Sequence, residues 1–251
     1  MTAFQPDDDR LYQDPELAQF YDLENGWAAD FDTCLDLAEG AASVLDLGCG
    51  TGELAARLAQ DRTVVWVDPA APMLAVARQR PGGDRVEWVE ADARGLDLCR
   101  RFDLIVLTGH AFQVFLTEDD QRAVLATIAR HLAPEGRFIF DSRNPAAGAW
   151  RRWTPEGSRR SLVHPSLGAV EAWNDVARDP ATGIVTYKTH YRVAASGQTF
   201  SAASKLRFTE RDALAAMLEN AGLRVERWLG DWQGGPCTQD SPELIPIGRL
   251  G

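Results

Sequence analysis

The sequence predicts an α/β protein with a doubly wound, mostly parallel sheet of seven strands and an antiparallel β insertion after the fifth strand. Three observations support this fold class. Short apolar runs alternate with amphipathic helical segments over about the first 140 residues, which is typical of successive right-handed βαβ units. A glycine-rich turn joins the first apolar run to the next helical segment. The hydrophobic period then changes to two between residues 158 and 208, before helical spacing returns.

The first half of the chain supplies the parallel part of the sheet. Helical spacing covers the first 40 residues and ends at Gly40. The run 102–107 is apolar except for Asp103, which suits a strand buried on both faces. Thr117 is the predicted N-cap of a helix over 118–131. The five predicted strands of this half are 43–47, 63–67, 86–89, 102–107 and 137–140.

The second half contains the insertion and the last two strands. Polar and apolar residues alternate over 185–193 and 200–208, with the hairpin turn Ala195-Ser196-Gly197-Gln198 between them. An earlier partner covers 169–176, so we expect on the order of three strands in the insertion. Thr209 is then predicted to cap the next helix. The final two strands are predicted at 223–229 and 243–250.

The composition argues against several classes of partner. The net charge is −11, and nucleic-acid affinity depends largely on Lys and Arg neutralising phosphates, so no nucleic-acid partner is predicted. No apolar run reaches membrane-spanning length, and the acidic N-terminus lacks a basic-then-apolar signal pattern. The four cysteines show no C-x-x-C spacing and are interpreted as reduced thiols. We therefore expect a cytoplasmic protein with no membrane association and no metal site.

The most informative stretch is the glycine-rich turn after the first strand. Asp46, Gly48, Gly50 and Gly52 form the pattern D-x-G-x-G-x-G, and a helix follows immediately. Glycines permit a tight turn and allow a ligand to approach backbone N–H groups closely. A dinucleotide fingerprint needs its third glycine where Glu53 stands, which disfavours a nicotinamide cofactor. A glycine-rich turn with no ligand is the structural alternative.

Asp68 is a candidate ribose ligand. It ends the second strand, 20 positions after Gly48 (68 − 48 = 20). A carboxylate at this place can accept both hydroxyl hydrogens of a ribose, and the bidentate geometry makes the contact selective. The alternative is a strand-end aspartate that caps the next helix.

The glycine motif resembles the first motif of class I S-adenosylmethionine (SAM) dependent methyltransferases, and the order of the later positions extends the resemblance over nearly the whole chain. The antiparallel insertion resembles that of bacterial small-molecule members, such as glycine-type and amino-sugar N-methyltransferases. The resemblance implies a Rossmann-like sheet, SAM as cofactor and S-adenosylhomocysteine (SAH) as product. It also implies methyl transfer to a nitrogen or oxygen of a small-molecule acceptor. The alternative is a non-catalytic SAM- or nucleotide-binding regulatory protein.

The resemblance also divides the chain into three parts. Residues 1–157 hold an N-terminal helical lid and the SAM-binding α/β core. Residues 158–208 are the antiparallel insertion, which forms a roof over the substrate, and residues 209–251 complete the α/β core. A homodimer is a possible assembly.

The resemblance carries cofactor roles over to several positions. In the family, an acidic residue after strand three accepts a hydrogen bond from the adenine amino group, and the next residue donates its backbone N–H to the ring. These roles fall on Asp92 and Ala93, with Met73 as an apolar wall and Tyr21 on the lid. A capping aspartate is the alternative for Asp92. The implied cofactor-binding set is Tyr21, Asp46, Gly48, Cys49, Gly50, Gly52, Asp68, Met73, Asp92, Ala93 and Thr108.

Residues after later strands are candidates for the chemistry, because ligands of open α/β sheets lie beyond the carboxyl ends of the strands. His110 follows the fourth strand and is the candidate catalytic residue, since histidine titrates near neutrality. A loop histidine bonded to backbone is the alternative. The substrate candidates are Arg143 after the fifth strand and Asp231 and Trp232 after the sixth. For these three, a residue that braces its own loop or turn is the alternative.

The loop after the fourth strand also limits the acceptor. Thr108-Gly109-His110-Ala111 stands where enzymes that methylate nucleic-acid bases or glutamine carry an Asn-Pro-Pro-Tyr-like tetrapeptide. This departure weakens those two activities and leaves the nucleophile open.

Overall fold

The computed structural model describes residues 10–48 and 50–251. Within these residues the chain forms two β-sheets surrounded by α-helices. The strands are β1 (Ser43–Leu47), β2 (Thr63–Asp68), β3 (Glu87–Glu90), β4 (Phe102–Leu107), β5 (Leu132–Phe140), β6 (Ser142–Arg143), β7 (Arg160–His164), β8 (Gly168–Arg178), β9 (Val185–Val193), β10 (Thr199–Leu206), β11 (Leu223–Leu229) and β12 (Glu243–Leu250). The α-helices are α1 (Arg10–Gln13), α2 (Pro15–Ala18), α3 (Tyr21–Glu24), α4 (Ala29–Leu37), α5 (Glu53–Leu58), α6 (Ala71–Ala77), α7 (Glu118–His131), α8 (Pro155–Ser158) and α9 (Arg211–Asn220).

The central sheet has the strand order β11-β12-β5-β4-β1-β2-β3, and the short β6 pairs with β12. Strands β1 to β5 run parallel to their neighbours, whereas β12 is antiparallel to β5 and β11. The direction of winding changes between β1 and β4, so the carboxyl ends of these two strands flank the crevice in which such sheets bind ligands. The prediction of a mostly parallel, Rossmann-like sheet is confirmed.

The central sheet is buried on both faces. Neighbouring residues of a strand point to opposite faces, and in β1 Val44 joins one apolar cluster whereas Leu45 joins the other. Val64 and Val65 of β2 divide in the same way. Burying each such side chain stabilises the fold by about 1.5–3 kcal/mol. This two-sided burial explains why the strands appear in the sequence as continuous apolar runs.

The insertion forms a separate antiparallel sheet with the order β10-β9-β8-β7. Its buried face packs against the N-terminal helices through Leu17 and Phe20, and the rings of Phe20 and Tyr191 stack with centroids 4.3 Å apart. The sheet has four strands rather than three, because β7 precedes the three that the alternation predicts. In β7 only His164 is buried, so its residues carry no clear alternation in the sequence.

Two helix starts test the predicted caps. Thr117 Oγ1 accepts the N–H of Asp120 at 3.0 Å, which confirms Thr117 as the N-cap of α7. The prediction that Thr209 caps α9 is wrong, because Glu210 occupies the N-cap position. The buried Thr209 hydroxyl instead donates to Gln121 Oε1 on α7 at 3.0 Å. The Thr209 hydroxyl therefore forms its hydrogen bond with a buried amide oxygen that only the tertiary fold brings close, and it does not cap the helix.

Among the described residues, no helix combines the length and the apolar composition that a membrane crossing requires. The longest of them, α7, has 14 residues, whereas a crossing needs about 20.

Candidate functional site

A cavity of about 590 Å³ lies where the carboxyl ends of the central strands, the N-terminal helices and the antiparallel sheet meet. This is the edge at which the sequence predicts the cofactor and the acceptor. The predicted site residues on the cavity wall are Tyr21, Gly48, Gly50, Asp68, Met73, Asp92, Ala93, Thr108, His110, Arg143 and Trp232.

Two predicted cofactor residues, Asp46 and Gly52, do not belong to this wall. Asp46 is fully buried within β1. Gly52 precedes α5 with a φ of 89°, and an added Cβ there would lie 2.8 Å from the Ala77 Cβ. The absence of a side chain at Gly52 therefore permits the close packing of α5 against α6, and a direct contact of Gly52 with the cofactor stays a prediction. Cys49 lies outside the described residues.

The structure separates the adjacent candidates Asp231 and Trp232. Trp232 lies on the cavity wall. Asp231 does not, because its Oδ1 accepts the N–H groups of Gln233 and Gly235, both at 2.9 Å. The Asp231 carboxylate thus braces its own turn, which is the alternative for this residue, and a contact of Asp231 with the substrate stays a prediction.

The glycine turn packs directly against the N-terminal helices. Gly48 and Gly50 have φ angles of 72° and 68°, which favour glycine because a Cβ is strained in the left-handed region. An added Cβ at Gly50 would lie 2.9 Å from the Tyr21 ring, on α3. The missing side chain therefore makes room for Tyr21 as well as for a ligand.

Asp68 is a buried carboxylate whose hydrogen-bond acceptor sites are only partly occupied by backbone N–H groups. Its Oδ2 accepts the Gly50 N–H at 3.1 Å, and its Oδ1 accepts the Ala70 N–H at 2.7 Å. The side chain ends β2 with 6% exposure, and burial raises its pKa to about 6. A carboxylate has about four acceptor sites, so two remain for ligand hydroxyls after it has capped the strand end.

Asp92 is bound to an arginine that the sequence interpretation missed. Its Oδ1 accepts the Arg94 N–H at 2.9 Å, and the Arg94 guanidinium bonds both carboxylate oxygens. The same guanidinium bonds Asp120 at 2.9 Å. The capping alternative is therefore realised in this structure, while Asp92 and Ala93 both remain on the cavity wall. Their contact with adenine stays a prediction.

The residues of this half of the cavity fit the cofactor that the sequence predicts. The glycine turn permits close approach, and Asp68 keeps acceptor capacity for two hydroxyls. Met73 is 1% exposed and gives an apolar wall, and Thr108, which directly follows β4, also lies on the cavity wall. A sugar with two hydroxyls and a flat apolar ring match this combination of one buried carboxylate and an apolar wall.

His110 occupies the centre of a polar cluster at the other half of the cavity. Its backbone has a φ of 62°, which is rare for a residue other than glycine. Its backbone N–H donates to Asp141 Oδ1 at 2.9 Å. Its ring Nε2 lies 3.1 Å from Glu243 Oε1 and 3.4 Å from Asp141 Oδ2. The ring thus faces side-chain carboxylates rather than backbone, contrary to the alternative for this residue.

Carboxylates dominate this half of the cavity. Asp141 is 1% exposed, and burial raises its pKa although the nearby His110 opposes the rise. Burial also raises the pKa of Asp30, which lies on the cavity wall and interacts electrostatically with His110. Together with Glu243, these groups give the surroundings of His110 a negative potential that favours a cationic ligand.

Arg143 presents a positive charge to the same cavity. Its Nη1 donates to Gln113 Oε1 at 3.0 Å, and its guanidinium lies 5.0 Å from the centroid of the Trp153 ring. Two other arginines on the wall, Arg94 and Arg160, are paired with carboxylates. For Arg143, no carboxylate of the described residues lies within 4.0 Å.

The antiparallel sheet closes the cavity through β9. Tyr187 and Tyr191 lie on the cavity wall, as expected for alternate positions of one strand face. The Tyr191 hydroxyl donates to Glu24 Oε1 at 2.6 Å, and Glu24 also pairs with Arg160. These bonds join α3 to the antiparallel sheet above the cavity.

Two carboxylates near His110 had no usable signal in the sequence. Glu243 reaches His110 because β12 pairs with β6, in the register that places Glu243 opposite Arg143. Asp30, on α4, interacts electrostatically with His110. Both carboxylates look like ordinary surface charges in the sequence. Tyr187 and Tyr191 did carry a signal, because their alternation within β9 places them on the same face.

Comparisons with known proteins agree with this arrangement. A family model described as "Methyltransferase domain" matches residues 44–136, which include the glycine turn, Asp68, Asp92 and His110. The chain is 29% identical over 211 residues to a cypemycin N-terminal methyltransferase from a Streptomyces species, covering 82% of each protein. It is also 29% identical over 229 residues to a dTDP-3-amino-3,6-dideoxy-α-D-glucopyranose N,N-dimethyltransferase from Streptomyces fradiae, covering 84% of this chain and 85% of that enzyme.

Solved structures share the fold. The CcbJ methyltransferase from Streptomyces caelestis is 22% identical, with a TM-score of 0.78 over 94% of this chain and 96% of that one. SAM-bound CalS10, an amino pentose methyltransferase from Micromonospora echinaspora, is 22% identical, with a TM-score of 0.66 over 90% of this chain and 93% of that one. Each likeness covers at least 90% of this chain.

Proposed function

Because the chain is a class I SAM-dependent methyltransferase, we propose that it methylates the nitrogen of a small-molecule amine. The observation that carries the proposal is the carboxylate cluster around His110, formed by Asp30, Asp141 and Glu243. Amines are cations near neutral pH, so a negative wall attracts them more strongly than it attracts an alcohol. Two of the relatives above also support the proposal, because one is named as an N-terminal methyltransferase and the other as an N,N-dimethyltransferase of an amino sugar.

Methyl transfer requires little covalent chemistry from the protein. When bound, SAM supplies a methyl group on a positively charged sulfur and leaves as SAH. The chain must hold the acceptor in line with that methyl group, and positioning of this kind is worth up to roughly 7–11 kcal/mol. An ammonium must also lose a proton before its nitrogen can attack, and His110 is the group proposed to take it.

The proposed cofactor contacts are those on the first half of the cavity wall. Asp68 accepts hydrogen bonds from the ribose hydroxyls, Met73 packs on the adenine and Tyr21 covers the cofactor from the lid. Asp92 and Ala93 contact the adenine edge. Gly48 and Gly50 let the cofactor approach the backbone, with Thr108 beside them.

The proposed acceptor contacts lie under the antiparallel sheet. Arg143 and Trp232 are on the cavity wall, and the charge of Arg143 suits an acceptor that also carries a carboxylate or a phosphate. The insertion of residues 158–208 acts as the roof of this acceptor site, between a lid and core of residues 1–157 and the remaining core of residues 209–251. A cytoplasmic location, a homodimer and the lack of a nucleic-acid partner stay predictions.

A screen with matched acceptor pairs tests the proposal. Each pair differs only in the nucleophile: glycine and glycolate, a peptide with a free N-terminus and its N-acetylated form, and a dTDP-amino sugar and its hydroxyl counterpart. We expect SAH formation and a mass gain of one methyl group with at least one amine and with no hydroxyl partner. Methylation of hydroxyl partners alone would contradict the proposal, and so would SAM binding without transfer to any amine.

A further inference from the structure

Among the described residues, the ring of His110 makes its hydrogen-bond contacts through one nitrogen. Nε2 lies 3.1 and 3.2 Å from the two carboxylate oxygens of Glu243 and 3.4 Å from Asp141 Oδ2. An ionised carboxylate can only accept a hydrogen bond, so the nitrogen that faces it must carry the hydrogen. A neutral imidazole has one N–H and one lone pair, and the contacts of Nε2 therefore leave the lone pair on Nδ1.

Nδ1 is available for chemistry. It makes no hydrogen bond to any residue that the structure describes. The His110 side chain is 22% exposed and lies on the cavity wall. The lone pair of Nδ1 and the N–H bond of Nε2 point in different directions from the ring, so the two nitrogens serve different partners.

Glu243 holds the ring from outside the cavity. It does not belong to the cavity wall, its side chain is 17% exposed, and it begins β12 opposite Arg143 of β6. Asp141 assists, because Oδ1 accepts the His110 backbone N–H while Oδ2 faces the ring. The left-handed backbone of His110 is thus fixed by one carboxylate and its ring by two.

We propose that Glu243 is a positioning residue that fixes His110 in the tautomer with hydrogen on Nε2, so that Nδ1 removes a proton from the acceptor ammonium. In this step an N–H bond of the ammonium breaks, an N–H bond forms at Nδ1, and the electron pair stays on the acceptor nitrogen. The ring then carries a positive charge that faces Glu243 and Asp141, and it returns the proton to water. The proposal rests on the proposed function, because it needs an acceptor that arrives as an ammonium.

Two other charged groups near the His110 ring affect how strongly its surroundings favour a positive charge. Asp30 of α4 adds a third negative charge on the cavity side, which favours a positive ring. Arg143 lies near Asp141 and weakens the negative potential there. Neither Asp30 nor Arg143 makes a hydrogen bond to the ring, so neither selects between the two ring nitrogens.

Nitrogen NMR on the protein without acceptor tests the tautomer. The sample is ¹⁵N-histidine-labelled at about pH 9, well above the ordinary histidine pKa of about 6.5, and His110→Asn identifies the His110 signals by their loss. We expect hydrogen on Nε2 in the unmodified protein and a mixture of both tautomers in Glu243→Ala and Glu243→Gln. The control Glu135→Gln removes a carboxylate that is 93% exposed on β5 and should change nothing. Hydrogen on Nδ1 in the unmodified protein, or an unchanged tautomer in both Glu243 variants, would overturn the proposal.

Kinetics separate positioning from a purely structural role. With an amine that the screen identifies, Glu243→Gln should lower kcat by about tenfold or more, while KM and the Kd for SAM stay unchanged. A loss that appears only in KM would overturn the proposal. So would tight binding of Zn²⁺ that Glu243→Gln abolishes, because the ligand atoms of His110, Asp141 and Glu243 lie within 4.8 Å of one another. The tautomer measurement needs no acceptor, so its failure and a failure of the amine screen are separate results.

Discussion

The carboxylate of Asp68 accepts the backbone N–H of Gly50 at 3.1 Å, and this bond ties the end of β2 to the glycine turn after β1. Two features that lie 18 residues apart in the sequence thus form one rigid wall of the cavity. The carboxylate is buried and has lost much of its hydration, which disfavours its charged form. Ligand hydroxyls that donate to it would replace the lost water.

We expect the affinity for SAM to depend on the charge of Asp68. The pKa of Asp68 is raised to about 6, and ribose hydroxyls donate to the ionised form, so affinity should fall as the pH drops below about 6. Because one proton is involved, the affinity for SAM can fall by at most about tenfold for each pH unit. Asp68→Asn should bind SAM about tenfold or more weakly at pH 8 and lose this pH dependence. Calorimetric titration measures both, with the exposed Asp61→Asn as control.

A pH-independent affinity in the unmodified protein would contradict this role for Asp68. An Asp68→Asn variant that binds SAM with unchanged affinity at pH 8 would contradict it equally.

The same carboxylate should destabilise the protein without ligand at alkaline pH. Its pKa in the fold, about 6, is above the ordinary value of 3.8. Its contribution to stability is therefore fully present below about pH 4 and is lost as the pH rises through 6. At pH 8 the loss amounts to about 3 kcal/mol. Urea unfolding at several pH values should show Asp68→Asn gaining stability relative to the unmodified protein by up to that amount between pH 4 and pH 8. A constant difference between the two proteins would rule out the shift.

The contact between Gly50 and Tyr21 allows a matched test of the lid. Gly50→Ala places a Cβ 2.9 Å from the Tyr21 ring, whereas Gly40→Ala meets nothing within 4 Å. Both glycines have a positive φ, so each variant should lose about 1–2 kcal/mol of unfolding free energy from backbone strain. Only Gly50→Ala should also weaken SAM binding, because it displaces Tyr21 and narrows the turn. Equal SAM affinities in the two variants would remove this contact from the cofactor site.

Arg143 should matter for the acceptor and not for the cofactor. Arg143→Met keeps an apolar stem against Trp153 and removes the charge. For an acceptor with a carboxylate or phosphate, KM should rise by about tenfold, since a hydrogen bond to a charged group is worth about 1.5–3 kcal/mol. The Kd for SAM should not change. Arg178→Met is the control, because that guanidinium also lies over a tryptophan but is not on the cavity wall.

The prediction for Arg143 fails if Arg143→Met raises KM equally for amines that carry no anionic group. In that case the side chain shapes the cavity without recognising charge.

Local patterns in the sequence were sufficient for the part of the site built around the turn after β1. Asp68 and Gly50 reach the cavity wall because the order of strands and turns fixes where the ends of adjacent parallel strands lie. The same logic also predicted Gly52 and Asp231 at the site, and neither residue lies on the cavity wall. Whether a glycine meets a ligand or a neighbouring helix, and whether an aspartate faces a cavity or its own turn, depends on packing that spacing does not encode.

The acidic half of the site lay beyond sequence reasoning for a different reason. Glu243 meets His110 across 133 positions of the chain, through a pairing of β12 with the two-residue β6 that no alternation indicates. Thr209 is a similar case, because a buried amide from α7 overrides its local preference for capping. Long-range partners of polar residues follow from the tertiary fold, whereas apolar periodicity, which set the strands and helices, is local.

The most direct test of the account follows one methyl group. The protein is incubated with SAM that carries a deuterated methyl group and with the amine and hydroxyl members of each acceptor pair, and fragmentation in the mass spectrometer locates the label. We expect the label on the amine nitrogen, with one SAH formed for each methyl transferred, and its loss in Asp68→Ala. Label on oxygen or carbon, or SAH formation without a labelled amine, would contradict the claim that this protein is an amine N-methyltransferase.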